Sequence, residues 1–163
     1  MFQNIDIVRT DRAVSLYLYD MGQIHDVAFK DIRVEKVAGS TEQRLIDIRV
    51  RDRGENPPRR LSESSRIYDI YFQDFIVDEW APNPSRLQSF DAARSVSNIH
   101  FENFRIAGRT ITSIAAGRFM YDQHIDRATI TFSDYPAFVE LPLRYGEVIT
   151  GPLALDLWVE GLP

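Results

Sequence analysis

Three aspartates give this chain its clearest acid–base chemistry. Asp20, Asp52 and Asp91 lie at or near the ends of three related stretches, AVSLYLYD (Ala13 to Asp20), LIDIRVRD (Leu45 to Asp52) and the less regular QSFDAAR (Gln88 to Arg94). If those stretches stack as neighbouring strands, successive carboxylates fall about 4.8 Å apart. Adjacent members would then match the roughly 5–5.5 Å of a retaining glycosidase pair, and members two strands apart the roughly 6.5–9.5 Å of an inverting one. Two carboxylates so close repel by roughly 3–4 kcal/mol at an effective dielectric of about 20, so one must hold a proton or pair with Arg51, Arg53 or Arg94. The plainer reading makes these aspartates turn formers.

A second group concerns binding. Strict alternation puts Val14, Leu16 and Leu18 on one face of the first stretch and Ser15, Tyr17 and Tyr19 on the other; Asp47, Arg49 and Arg51 share that outer face one stretch later. Aromatic rings beside Arg and Asp suit sugar rings with their hydroxyls and carboxylates. The alternative is a solvated sheet face with cation–π contacts. Trp80, in DEWAPNPS, is a further stacking candidate. His25, His100 and His124 are far apart without ligand spacing, so no metal is assigned, and no motif calls for a cofactor.

What must position these residues is a repeat. IHDVAFKDIRV (Ile24 to Val34) returns as IYDIYFQDFIV (Ile67 to Val77) and VSNIHFENFRI (Val96 to Ile106); FQNIDI (Phe2 to Ile7) matches its second half and TFSDY (Thr131 to Tyr135) is a weaker echo. The phenylalanines Phe2, Phe29, Phe72, Phe101 and Phe132 mark steps of 27, 43, 29 and 31 residues. The long step holds RGENPPRRLSESS (Arg53 to Ser65), whose Pro, Gly and Ser content reads as an inserted loop. The cell alternates in steps of two and is strand-like. The chain therefore reads as one all-β domain over residues 1–163, a parallel β-helix of about four to five coils that is incomplete at the N-terminus. Residues 2–135 form the coils, interrupted by the loop at 53–65, and residues 136–163, where the cell is lost, supply closing strands. QSFDAAR and TITSIAAG (Thr110 to Gly117) read as third and fourth versions of the second strand. The phenylalanines should stack inside. Asn4, Asp31, Asp74, Asn103 and Asp134 should form a polar column at the adjoining turn. An antiparallel β-sandwich would instead make the repeats coincidental.

Composition narrows the partners. A net charge of −5 gives no basic footprint for nucleic acid or an anionic membrane. No apolar run reaches the roughly 20 residues of a membrane helix. The absence of cysteine removes disulfides and thiolate metal sites. The opening MFQNIDIVRTDR lacks the basic and apolar parts of a secretory signal. Because the first cell is half a cell, upstream coils or a second copy of the chain is expected to cover that edge.

The cells GQIHDVAFKDIRVEK, RIYDIYFQDFIVDEW and SVSNIHFENFRIAGRTI resemble the right-handed parallel β-helices of the pectin-lyase-like superfamily. More narrowly, they are similar to the downstream coils of polygalacturonase-like and dextranase-like glycoside hydrolases, over about Phe2 to Tyr135. The resemblance implies a polysaccharide or oligosaccharide partner, and relatives of this type are usually secreted, although localisation stays unassigned. The Asn-Thr-Asp, Asp-Asp, Gly-His-Gly and Arg-Ile-Lys motifs of the polygalacturonase-like enzymes are not found in this chain. The expectation is a partial β-helix of a polysaccharide-processing protein, with catalysis of its own left open. The alternative is a non-catalytic carbohydrate-binding or oligomerisation module.

Overall fold

The computed structural model describes residues 1–39, 42–52 and 61–134. In chain order its strands are β1 (Phe2–Thr10), β2 (Arg12–Leu18), β3 (Gln23–Ile24), β4 (Val27–Val37), β5 (Arg44–Val50) and β6 (Arg66–Ile67). They continue with β7 (Ile70–Val77), β8 (Ser85–Gln88), β9 (Ile99–Ile106), β10 (Arg109–Thr110), β11 (Phe119–Tyr121) and β12 (Ile130–Ser133). Among the described residues the only helical turn is the 3-10 segment Arg127–Thr129, capped by the Asp126 carboxylate accepting from the Ala128 N–H.

These strands form parallel sheets. β1, β4, β7, β9 and β12 pair in that order, and β2, β5, β8 and β11 make a second sheet. The short β3 and β6 form a third, which a bridge from Ile67 to Val96 extends. Such pairing excludes the antiparallel sandwich. The single antiparallel contact among the described residues is local, where β10 folds back on Arg105 and Ile106 of β9.

Register follows the repeat residue by residue. Phe2 pairs with Phe29, Phe29 with Phe72, Phe72 with Phe101 and Phe101 with Phe132. Their rings stack at centroid distances of 5.2, 5.2, 4.8 and 4.8 Å. Only the inner rungs are deeply buried, since Phe2 at the free edge is 52% exposed. A second pair of rings, Phe75 and Phe104, is fully buried beside the column.

The alternation is interrupted twice per cell, for a reason visible in the backbone. Asn4, Asp31, Asp74 and Asn103 have φ near +50 to +58°, and so do Asp26, Asp69 and Asn98 at the front of the cell. A left-handed residue advances the phase by one, so that Phe29 and Ile32, three apart, both point inward. Asp and Asn tolerate that conformation because their short side chains bond locally; other L-residues pay roughly 1–2 kcal/mol. Stacked one rung apart, they also bond each other: Asn98 Nδ2 donates to Asp69 at 3.0 Å and Asn103 Nδ2 to Asp74 at 2.7 Å.

The second sheet departs from expectation in its later rungs. Its third and fourth strands are Ser85–Gln88 and Phe119–Tyr121, not QSFDAAR and TITSIAAG. Strands of four and three residues show too little alternation to be seen in sequence, and here pairing fixes them, β8 on β5 and β11 on β8. Of the inserted loop, residues 61–65 are described: Leu61 is buried and Ser65 Oγ donates to the Asp20 carbonyl at 3.2 Å. The expected closing strands at 136–163 lie outside the described residues.

Candidate functional site

The outer face of the second sheet carries the charged cluster. Pairing sets two rows across the strands, Ser15–Asp47–Arg86–Met120 and Tyr17–Arg49–Gln88. Alternation places these residues away from the apolar core formed by Ile46, Ile48 and Leu87. Asp47 is nevertheless fully buried and Arg49 only 7% exposed, which corrects the expectation of an open face at these two positions. Side chains from neighbouring rungs lie over them.

Asp47 is the centre of that cover. Arg86 grips it with two bonds, Nε to Oδ1 at 3.0 Å and Nη2 to Oδ2 at 2.9 Å, and the Tyr17 hydroxyl donates to Oδ2 at 2.7 Å. Arg49 Nη2 is 3.0 Å from the same oxygen and Arg12 Nε 3.4 Å. Burial alone would push the Asp47 carboxyl up, but the bonds from Arg86 and Tyr17 and the charge of Arg49 offset it and hold the group below the usual carboxylate range. The Arg49 guanidinium also lies 4.5 Å over the Tyr17 ring, and Tyr17 meets Tyr19 edge-on at 5.8 Å.

Cations outnumber anions here. Arg12, Arg44, Arg49 and Arg86 face Asp47 and Glu42, the latter bonded by Arg12 at 2.8 Å and 3.7 Å from Arg86. Burial and the nearby Arg86 lower the affinity of Arg44 for its proton, although Asp47 and Glu42 pull the other way. Buried Nε–H groups on Arg12, Arg44 and Arg49 have no hydrogen-bond acceptor. Such a surplus favours an anion where the cluster reaches solvent, at the part-exposed Arg12 and Tyr17, with the exposed Arg51 on the same strand face past the end of β5.

No family model, curated protein or solved structure matches this chain. Its chemistry is read from its own residues.

The three aspartates come to one end of the same sheet. The β2–β5 register carried past Leu18 and Val50 brings Asp20 beside Asp52, and pairing does continue there, with the Arg51 N–H donating to the Leu18 carbonyl at 2.9 Å. The β5–β8 pairing ends at Gln88, and Asp91 lies three residues further on, in the bend that follows β8. Their environments differ. Asp91 accepts from the backbone N–H groups of Ala93 and Arg94 and from the Arg94 guanidinium, which closes a turn. The Arg94 side chain, and next its backbone N–H, bring the Asp91 carboxyl down to about 2, the opposite of what a general acid requires. Asp20 instead has a buried Oδ1 without a hydrogen-bond partner. Asp52 adds to the negative potential that Arg94 feels.

Trp80 packs against the core, with the Arg118 guanidinium 5.5 Å above its ring. His25 stacks on Tyr68 and His100 on Tyr71, each at 4.9 Å, in separate rows. Sequence reading missed Arg12, Glu42, Arg44 and Arg86. Arg86 was detectable only through the β5–β8 register, and Arg12 starts a strand straight after a turn.

The depressed carboxyls of Asp47 and Asp91 make acid stability predictable. A lowered folded-state pKa contributes stability that is complete above the unfolded value, near 3.8, and disappears as pH falls through the folded one. The urea midpoint should therefore stay level from pH 7 to about 5 and drop between about pH 4 and 2. A midpoint that rises on acidification would contradict these two ion pairs.

Proposed function

We propose that the sheets are successive faces of a right-handed parallel β-helix from a polysaccharide-processing protein related to glycoside hydrolases, and that its second sheet binds an acidic sugar chain. The chain visits first, second and third sheets in turn and returns one rung further on, and parallel crossovers are right-handed in about 98% of cases. The observation that carries the binding reading is the guanidinium surplus around Asp47 beside Tyr17 and Arg51. Arginine suits carboxylates through its planar fork, and a tyrosine ring offers an apolar body with a polar tip. In this reading the free edge of β1, where Phe2 and Val8 are exposed, meets further coils or a second copy.

The protein should be retained on immobilised polygalacturonate at low salt, elute as salt rises, and pass through a neutral dextran resin. Arg51→Ala and Arg12→Ala should each weaken retention. Equal retention on both resins would refute charge recognition.

One observation favours a hydrolytic second reading, the unpartnered Asp20 Oδ1 next to Asp52. Hydrolysis would release reducing ends from pectic or dextran substrates, and Asp20→Asn and Asp52→Asn would each abolish that release. Release unchanged in both variants would leave the chain a binding module.

A further inference from the structure

We infer that Met120 is a site of oxidative modification at which the usual sign is reversed: its sulfoxide ties the last strand of the second sheet to the Arg44 guanidinium more firmly than the thioether does. The effect is independent of any bound sugar.

Register and parity put Met120 on the outer face of β11, in the row Ser15–Asp47–Arg86–Met120, while its neighbour Phe119 is buried in the core. Met120 is 45% exposed and borders a groove of about 150 Å³, so a molecule as small as hydrogen peroxide reaches the sulfur. Arg44, two strands away on β5, reaches across β8 to it. Its Nη1 donates to the Pro84 carbonyl at 2.6 Å and lies 3.4 Å from Met120 Sδ.

A thioether is a weak acceptor for such a donor. Arg44 is also short of better ones: its Nε–H is buried without a hydrogen-bond partner, and the buried Asp47 carboxylate is already held by Arg86, Tyr17 and Arg49. Oxidation corrects the mismatch. Peroxide breaks its O–O bond and passes one oxygen to the sulfur lone pair; the sulfur loses two electrons, and the other oxygen leaves as water with both protons. The new oxygen is the negative end of a strong dipole and, beside a cation, accepts a charge-assisted bond about twice as strong as a neutral one. In a core the same change disrupts packing, because the oxygen finds no donor there.

Peroxide treatment followed by urea unfolding tests this, with peptide mapping to confirm one added oxygen at Met120. The midpoint of the oxidised protein should rise by about 0.5 M. Met120→Leu given the same treatment should not shift, which removes any contribution from Met1 and Met21, 80% and 74% exposed. In Arg44→Ala the difference between oxidised and untreated protein should vanish, a comparison within one variant that general weakening of the fold does not disturb. Met120→Gln, which offers an amide oxygen without any change at Arg44, should unfold at higher urea than Met120→Leu. A midpoint that falls or stays level with Met120 oxidised, a gain that persists in Arg44→Ala, a Met120→Gln no more stable than Met120→Leu, or a Met120 that peroxide leaves unmodified would each overturn the inference.

Discussion

Asp47→Ala should cost about 3–5 kcal/mol of folding stability, the largest loss expected from any polar substitution here. The reason is not the worth of one ion pair. Removing the carboxylate strands the Arg86 and Arg49 guanidinium groups, whose side chains are only 15% and 8% exposed, and leaves the Tyr17 hydroxyl without its acceptor. Domains of this size have about 5–15 kcal/mol in total, so the urea midpoint should fall by roughly a fifth or more with little change in slope. Asp47→Ala with Arg86→Ala should be more stable than the sum of the single losses implies, because the second change removes a charge the first had abandoned. A loss below about 1 kcal/mol for Asp47→Ala would mean the cluster is solvated and the packing described here is wrong.

Phe101→Ala should be of similar size, about 3–5 kcal/mol, on apolar grounds alone. Its ring lies between Phe72 and Phe132 at 4.8 Å on each side and also meets Phe104 and Phe119. Truncation opens a cavity in the middle of the column and removes stacked pairs worth roughly 0.5–1.5 kcal/mol each. The same change at Phe2, which ends the column and is half exposed, should cost much less. Equal losses at Phe101 and Phe2, read from urea midpoints, would contradict an ordered column with a frayed end.

How far the sequence discloses this arrangement depends on the range of each interaction. The phenylalanine column and the Asp/Asn column are legible because one cell repeats with inward and left-handed positions intact. The β2 and β5 strands are legible through seven-residue alternation, within two residues of their observed ends. β8 and β11 are not, being too short for a period to register. The burial of Asp47 was equally hidden. Its parity correctly turns it away from the core, but the atoms that cover it belong to Arg86, 39 residues along, and to Tyr17, 30 residues back. Asp91 shows the converse: its pairing with Arg94 and its place in a turn could be read locally, since both partners, Ala93 and Arg94, lie within three residues. Local pattern thus gave the frame, and the electrostatic cover came from contacts between rungs.

The most direct test of the binding face is a crystal structure grown with tetragalacturonate. We expect a sugar carboxylate within hydrogen-bond distance of Arg51 or Arg12, one ring against Tyr17, and the chain directed across β5 and β8. Sugar density on the outer face of the β1–β4–β7–β9 sheet instead, with the second sheet bare, would contradict the account.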